Sequence, residues 1–219
     1  MATGRFVNNM SVAIFGGTFN PVHNGHLRIA TELAELLDVD NLRMIPCALP
    51  AHREQPNATA EQRLEMLRLG IGENTRLLAD DIELGRDGPT YTIDTLREIR
   101  MQIDDSTPLY LCIGMDVLAT LDSWRDWQKL TDYCHLVVSS RPEYQIPETG
   151  PLAEWIKPRL CDDLHQLKQS STGKLHLCNL TMLAISSTAI RDKISNSEAI
   201  NFLTPAAVVN CIQQQHLYE

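Results

Sequence analysis

The stretch that decides the fold is Ser11–Leu37, SVAIFGGTFNPVHNGHLRIATELAELL. Its short apolar run, Ser11–Phe15, reads as a buried strand. The run ends on Gly16-Gly17, after which Leu27, Ala30, Leu33, Ala34 and Leu37 recur on one helical face. A strand that turns through glycines into an amphipathic helix opens a βα unit.

The same alternation continues outward, which argues for βαβ units and a parallel sheet. Leu42–Ile45 is a second strand, followed by a loop with Pro46, Pro50 and Pro56. A helix from about Ala60 carries a capping box, Thr59 with Gln62, and a stripe of Leu64, Leu67 and Ile71. Leu77–Ala79 reads as a third strand, and Thr92 opens a helix carrying Leu96, Ile99 and Ile103. Leu109–Ile113, Leu136–Ser139 and Leu175–Leu180 are further strands, with short helices between the first two. The proline-broken region from Pro142 to Gly173 resists assignment and is compatible with a variable insertion. Final helices start near Ser187 and at Pro205, with Thr204 expected as a cap. The expected architecture is α/β: a Rossmann-like doubly wound parallel sheet with helices on both faces. One domain, 1–219, is expected, with a small C-terminal helical part at about 184–219.

Bulk composition narrows the function. The chain has 219 residues, 43% hydrophobic and 21% charged, which suits a packed domain. A net charge of -9 disfavours non-specific nucleic-acid binding, which needs a basic surface. Cys47, Cys112, Cys134, Cys161, Cys178 and Cys211 form no C-x-x-C pair, so a zinc ribbon has no support and no protein metal site is expected. Buried thiols in a reducing compartment are the simplest account of them. No apolar run suits a signal peptide or a membrane span, so a soluble, cytoplasmic chain is expected, with homo-oligomerisation left open.

The chemistry concentrates in GGTFNPVHNGHL, Gly16 to Leu27. Gly16 and Gly17 let the backbone turn and approach a ligand. His23 and His26 fall on one side of the helix start, with Gly25 between them leaving room for a phosphate chain. Helix N-terminal N–H groups favour anions, and no acid occurs from Gly16 to Ala30. The competing account is a tight βα turn with two incidental histidines. Neither G-x-G-x-x-G nor a P-loop is present.

A second segment is AISSTAIR, Ala184 to Arg191. Ser186, Ser187 and Thr188 open a helix and can receive phosphate oxygens, with Arg191 one turn on. Alone, ordinary Ser/Thr capping explains it as well. Paired with the histidine loop, it reads as the opposite jaw of a triphosphate clamp.

The H-x-G-H loop and the late ISST-x-x-R helix start resemble the H-x-G-H nucleotidyltransferase superfamily. Within it, the chain is similar to the bacterial nicotinate-nucleotide adenylyltransferases. The similarity runs through RLEMLRL at Arg63, ELGRDGPTYTIDTL from Glu83, IGMDVLATLDSWRDW from Ile113 and the ending LYE. Asn20 stands where many relatives have Asp, and Arg53 where Lys is common after His52.

The resemblance implies that ATP and nicotinate mononucleotide give deamido-NAD and pyrophosphate, with Mg2+ carried mainly on the ATP phosphates. His23, His26 and Arg191 would be catalytic. Gly16, Gly17, Thr18, Phe19, Gly114, Asp116, Ile185, Ser186, Ser187 and Thr188 would join them on ATP. His52, Arg53, Tyr91, Thr92 and Trp124 would hold the mononucleotide. Asp116 reads equally as a helix-start acid, and Trp127 as a packing residue. The rivals are another acceptor within the superfamily, such as phosphopantetheine or a cytidylyl donor reaction, and a nucleotide-binding module without catalysis.

Overall fold

The computed structural model describes residues 11–48, 56–86, 88–140 and 144–219. Strands β1 (Val12–Gly17), β2 (Leu42–Pro46), β3 (Leu77–Ala79), β4 (Leu109–Gly114), β5 (His135–Ser139) and β6 (Leu175–Cys178) form one sheet of order β3-β2-β1-β4-β5-β6. The order builds one way from β1 through β2 to β3 and the other way through β4 to β6, which is the double winding the sequence predicts. The β2–β3, β4–β5 and β5–β6 pairs are parallel, with Leu42 opposite Leu77 and Cys112 opposite Val137. β5 is buried along its whole length, and Leu109–Cys112 of β4 likewise, as strands covered on both faces must be.

The helices are α1 (Asn24–Leu37), α2 (Ala60–Ile71), α3 (Thr92–Arg100), α4 (Met115–Leu118), α5 (Leu130–Tyr133), α6 (Gly150–Ile156), α7 (Leu164–Lys168), α8 (Ser187–Ser195) and α9 (Ala206–Gln214). From Ala30 on, the apolar stripe of α1 is buried as its spacing predicts: Ala30, Leu33, Ala34 and Leu37 are at most 1% exposed, while Leu27 at the helix start is half-buried. Leu33 and Leu37 each contribute about 1.5–3 kcal/mol by leaving water. The capping box of α2 is present, with Thr59 Oγ1 accepting from the Gln62 amide and Gln62 Oε1 from the Thr59 amide. Among the described residues no helix is long and apolar enough to cross a membrane.

Two local expectations are corrected. α3 stops at Arg100, so Ile103 lies beyond it. At that end the Arg100 guanidinium donates to the carbonyls of Tyr133, Thr107 and Ser171 at 2.6–2.7 Å, tying the end of α3 to those segments. Thr204 does not cap α9; Pro205 takes the N-cap place, and the Thr204 hydroxyl donates to the Val22 carbonyl at 2.8 Å. From residue 144 on, the region left unassigned from the sequence holds α6, a 3-10 turn at Lys157–Arg159, and α7, which Asp163 caps through the His165 amide. Trp155 anchors that region. Its Nε1 donates to the Gln128 carbonyl at 3.1 Å, its ring meets Trp127 edge-on at 5.3 Å, and the Arg159 cation lies 4.3 Å over it.

The chain clusters into two compact units. One comprises Met1–Ile14, Leu37–Asp40 and Tyr91–Leu180; the other Phe15–Leu36, Asn41–Thr90 and Thr181–Glu219.

Candidate active site

In the unit holding the histidine loop, β1 runs through Gly16 and Gly17, two residues past its apolar run, and the Cys47 amide binds the Gly17 carbonyl at 3.0 Å. The loop then enters Phe19 in the left-handed region (φ 48°) and passes a cis Asn20–Pro21 peptide. Phe19 is 1% exposed. A Cβ on Gly17 would lie 2.9 Å from its ring, so glycine is required there for packing.

The loop's carbonyls are held by a set of donors. Arg63 Nη1 donates to Thr18 O at 2.8 Å, and its Nη2 to Ala48 O at 2.9 Å. Arg191 Nη1 donates to Asn20 O at 2.8 Å, Ser187 Oγ to Pro21 O at 2.9 Å, and Thr204 Oγ1 to Val22 O. In a trans peptide the C=O and the following N–H point opposite ways. Holding the carbonyls of Gly17, Thr18 and Pro21 therefore turns the N–H groups of Thr18, Phe19 and Val22 away from those partners, an arrangement suited to an anion.

His23 and His26 stack, with ring centroids 3.6 Å apart and planes 21° from parallel. The His23 amide donates to His26 Nδ1, and the His26 amide to His23 Nδ1, both at 3.3 Å. An Nδ1 that accepts places the proton of the neutral ring on Nε2, so both rings are set as Nε2–H donors. Phe19 supports His26 edge-on at 5.1 Å. A Cβ on Gly25 would lie 3.0 Å from His23 Nδ1 and 3.1 Å from its Cε1, so the glycine makes room for the histidine ring. That differs from the expected room for a phosphate chain.

α8 begins beside this loop. Ser186 is an ordinary N-cap, accepting from the Ala189 amide at 3.1 Å. Ser187 gives its hydroxyl proton to Pro21 O, and Arg191 Nη2 reaches Thr188 Oγ1 at 3.3 Å. Ile185 precedes them, half-buried, its amide on Leu183 O at 2.7 Å. The segment is tied to α1 where Glu32 accepts from the Thr181 amide at 2.7 Å. That bonding, with Arg28 beside it, holds the Glu32 carboxyl below its ordinary range. Thus Gly16, Gly17, Thr18, Phe19, His23, His26 and Ile185 to Arg191 all fall in one unit.

The other unit contains Tyr91, Thr92, Gly114, Asp116 and Trp124. Gly114 ends β4 and is the N-cap of α4, whose first turn carries Asp116. Tyr91 is the N-cap of α3 without a side-chain cap. The Asp94 carboxylate, in the first turn of α3, pairs with Arg97 at 2.9 Å and Arg125 at 3.8 Å. The Arg125 guanidinium lies 4.8 Å over the Tyr91 ring. Trp124 follows a 3-10 turn, Leu121–Ser123, and is half-buried. His52 and Arg53 lie outside the described residues.

Sequence reading missed Arg63, Thr204, Arg125 and the side-chain role of Asn20. Arg63 gave one signal: it sits in the buried face of α2 with Leu64, Met66 and Leu67, where an arginine needs acceptors.

A family model described as cytidylyltransferase-like matches residues 14–193. The chain is 38% identical over 213 residues to the probable nicotinate-nucleotide adenylyltransferase of Psychromonas ingrahamii, covering 97% of this chain and 99% of that one. It is 40% identical over 207 residues to the protein of the same name from Pseudomonas aeruginosa, covering 94% and 96%. The fold matches the Plasmodium falciparum nicotinic acid mononucleotide adenylyltransferase complexed with NaAD, at TM-score 0.68 and 18% identity, over 95% of this chain and 97% of that one. The chain belongs to the cytidylyltransferase-like family and, with these relatives, to its nicotinate-nucleotide adenylyltransferases.

Proposed function

We propose that the chain transfers the adenylyl group of ATP to nicotinate mononucleotide, giving deamido-NAD and pyrophosphate in NAD biosynthesis. The stacked, reciprocally bonded pair His23 and His26, on a loop whose carbonyls are held, is the observation that supports it best. The relatives carry the name of this activity, and the Plasmodium protein's complex holds NaAD.

The mononucleotide phosphate oxygen attacks the α-phosphorus of ATP. The bond from that phosphorus to the bridging oxygen breaks, and pyrophosphate leaves with the electron pair. The nucleophile is already an anion, so no protein base is needed; positioning and charge neutralisation carry the rate. His23 and His26 donate to the phosphate oxygens through Nε2–H. The backbone at Gly16, Gly17, Thr18 and Phe19 cradles the chain. Ile185, Ser186, Ser187, Thr188 and Arg191 hold the leaving pyrophosphate; since Ser187 already donates to Pro21, its share comes from the main chain. Gly114 and Asp116 meet the ATP ribose. Tyr91, Thr92 and Trp124, with His52 and Arg53, take the mononucleotide.

Among the described residues no three His, Cys, Asp or Glu side chains cluster as a cation site. The histidine and N–H donors of the loop suit phosphate oxygens, so Mg2+ fits as an ion carried on the triphosphate. There it would supply further neutralisation of phosphate charge.

The test is pyrophosphate release from ATP, and from CTP, with nicotinate mononucleotide, nicotinamide mononucleotide and phosphopantetheine side by side. ATP with nicotinate mononucleotide is expected to be fastest. Faster release with phosphopantetheine or CTP would move the chain to another reaction of the superfamily. ATP binding without release, whatever the acceptor, would make it a binding module.

A further inference from the structure

After α9 the backbone enters the left-handed region at His216 (φ 51°) and at Tyr218 (φ 68°). Two non-glycine residues adopt that conformation only where their surroundings fix them. Here Leu217 turns inward, 7% exposed, with its amide on the Ile212 carbonyl at 3.0 Å. Gln215 fastens the same stretch to α2, accepting from Gln62 and donating to Glu65 at 3.0 and 2.9 Å. The Tyr218 hydroxyl then donates to Asn20 Oδ1 at 2.7 Å.

Asn20 is 6% exposed and is held twice: Tyr218 on its side chain and Arg191 on its carbonyl. It lies between Phe19, whose ring supports His26, and Pro21, whose carbonyl Ser187 holds. A rotation of Asn20 therefore displaces the residue that sets the edge of the histidine pair. Burial pushes the Tyr218 phenol well above its ordinary range, against the opposing influence of Arg191 and Arg63, so the hydroxyl keeps its proton as a donor.

We propose that Tyr218 is a positioning residue for nucleotidyl transfer, acting through Asn20 to hold the histidine loop in its reactive geometry. This rests on the adenylyl-transfer reading above. It assigns a role in the reaction to the segment following α9, which otherwise looks like simple packing.

The test is a double-mutant cycle of Tyr218→Phe and Asn20→Ala, with His26→Ala in parallel, reading kcat, both KM values and the thermal midpoint. Tyr218→Phe removes one oxygen and keeps the ring. It is expected to lower kcat about 10-fold, the scale of one oriented hydrogen bond. Both KM values should stay within about twofold and the midpoint nearly unchanged. Asn20→Ala should do the same, and the double variant should be no worse than the poorer single one, because one link is cut either way. Wild-type kcat in Tyr218→Phe overturns the proposal, as do additive losses that track a falling midpoint. If Tyr218→Phe does not fold, Asn20→Ala alone decides, and normal kcat there overturns it. Near-normal turnover in folded His26→Ala removes His26 from the mechanism, whereas no pyrophosphate release by the wild type defeats the adenylyl-transfer reading itself. Loss in His26→Ala beside normal Tyr218→Phe defeats only the role of Tyr218.

Discussion

His23 and His26 each lend the other a backbone N–H, so that neither ring can turn without breaking a bond made to its neighbour. The stack at 3.6 Å depends on the bare α-carbon of Gly25, whose added Cβ would press on the His23 ring. Gly25→Ala is therefore expected to lower kcat about 10- to 100-fold, part of the loss seen when an oriented donor is removed. Fold and thermal midpoint should change little, because the ring can give way. Steady-state kinetics beside a thermal melt check this; wild-type turnover would mean that the stack is dispensable.

Arg191 is expected to act on two fronts. Its guanidinium holds the Asn20 carbonyl and the Thr188 hydroxyl, and in the proposed reaction it also meets the leaving pyrophosphate. A charge-assisted contact is worth roughly 1.5–3 kcal/mol, or about 10- to 150-fold. Arg191→Ala should raise the apparent ATP KM within that range and also lower kcat, with nicotinate mononucleotide KM little changed. A change confined to the mononucleotide would reverse the assignment of the two substrates.

The helix start at Tyr91 and Thr92 offers backbone N–H groups that suit the carboxylate of nicotinate over the neutral amide of nicotinamide. The Arg125 cation over the Tyr91 ring adds a positive charge to the same helix start, although Asp94 partly offsets it. The wild type is expected to prefer nicotinate over nicotinamide mononucleotide by roughly two to three orders of magnitude in kcat/KM. The Arg125 side chain is 55% exposed, so solvent screens it. Arg125→Gln should therefore reduce the preference only about 3- to 10-fold. Competition between the two acceptors in one assay reads the ratio directly, and an unchanged ratio would exclude Arg125.

His135 gives the structure an acid-sensitive point. It is fully buried, its Nε2 donates to Ser170 O at 2.8 Å and its Nδ1 accepts from the Lys174 amide at 3.1 Å. Only the neutral ring satisfies both. Burial, first of all, lowers its pKa below the ordinary 6.5. The unfolded state thus takes up the proton first. The contribution is fully present above pH 6.5 and is lost as pH falls from there through the lower folded value. Denaturant midpoints measured from pH 7.5 down to 5 should fall in the wild type and fall less steeply in His135→Gln. Parallel slopes would show that His135 does not carry the effect.

Much of the fold was legible because its signals are local. The β1–α1 junction, the capping box of Thr59 and Gln62 and the apolar strands each follow from a few neighbouring residues. Helix ends were less legible where distant groups decide them. The Arg100 side chain at the end of α3 reaches carbonyls as far along the chain as Ser171, and Thr204 reaches Val22 instead of capping α9. The histidine pair was legible from spacing, but its support was not. Arg63 meets the Thr18 carbonyl, and Tyr218 the Asn20 side chain, only after folding, across 45 and 198 residues of sequence. Thr188 and Ser187 looked like phosphate donors from sequence, yet one bonds Arg191 and the other Pro21. Pairings at such separation leave no periodic trace.

If the histidine loop stabilises adenylyl transfer, His26 is the side chain whose loss shows it. Pyrophosphate release from ATP and nicotinate mononucleotide should be measured for the wild type and His26→Ala at saturating substrates, with circular dichroism on the same samples. The variant is expected to keep its fold and lose about 100-fold or more in turnover, as removal of one oriented donor does elsewhere. A well-folded His26→Ala protein with near-normal turnover would contradict the account.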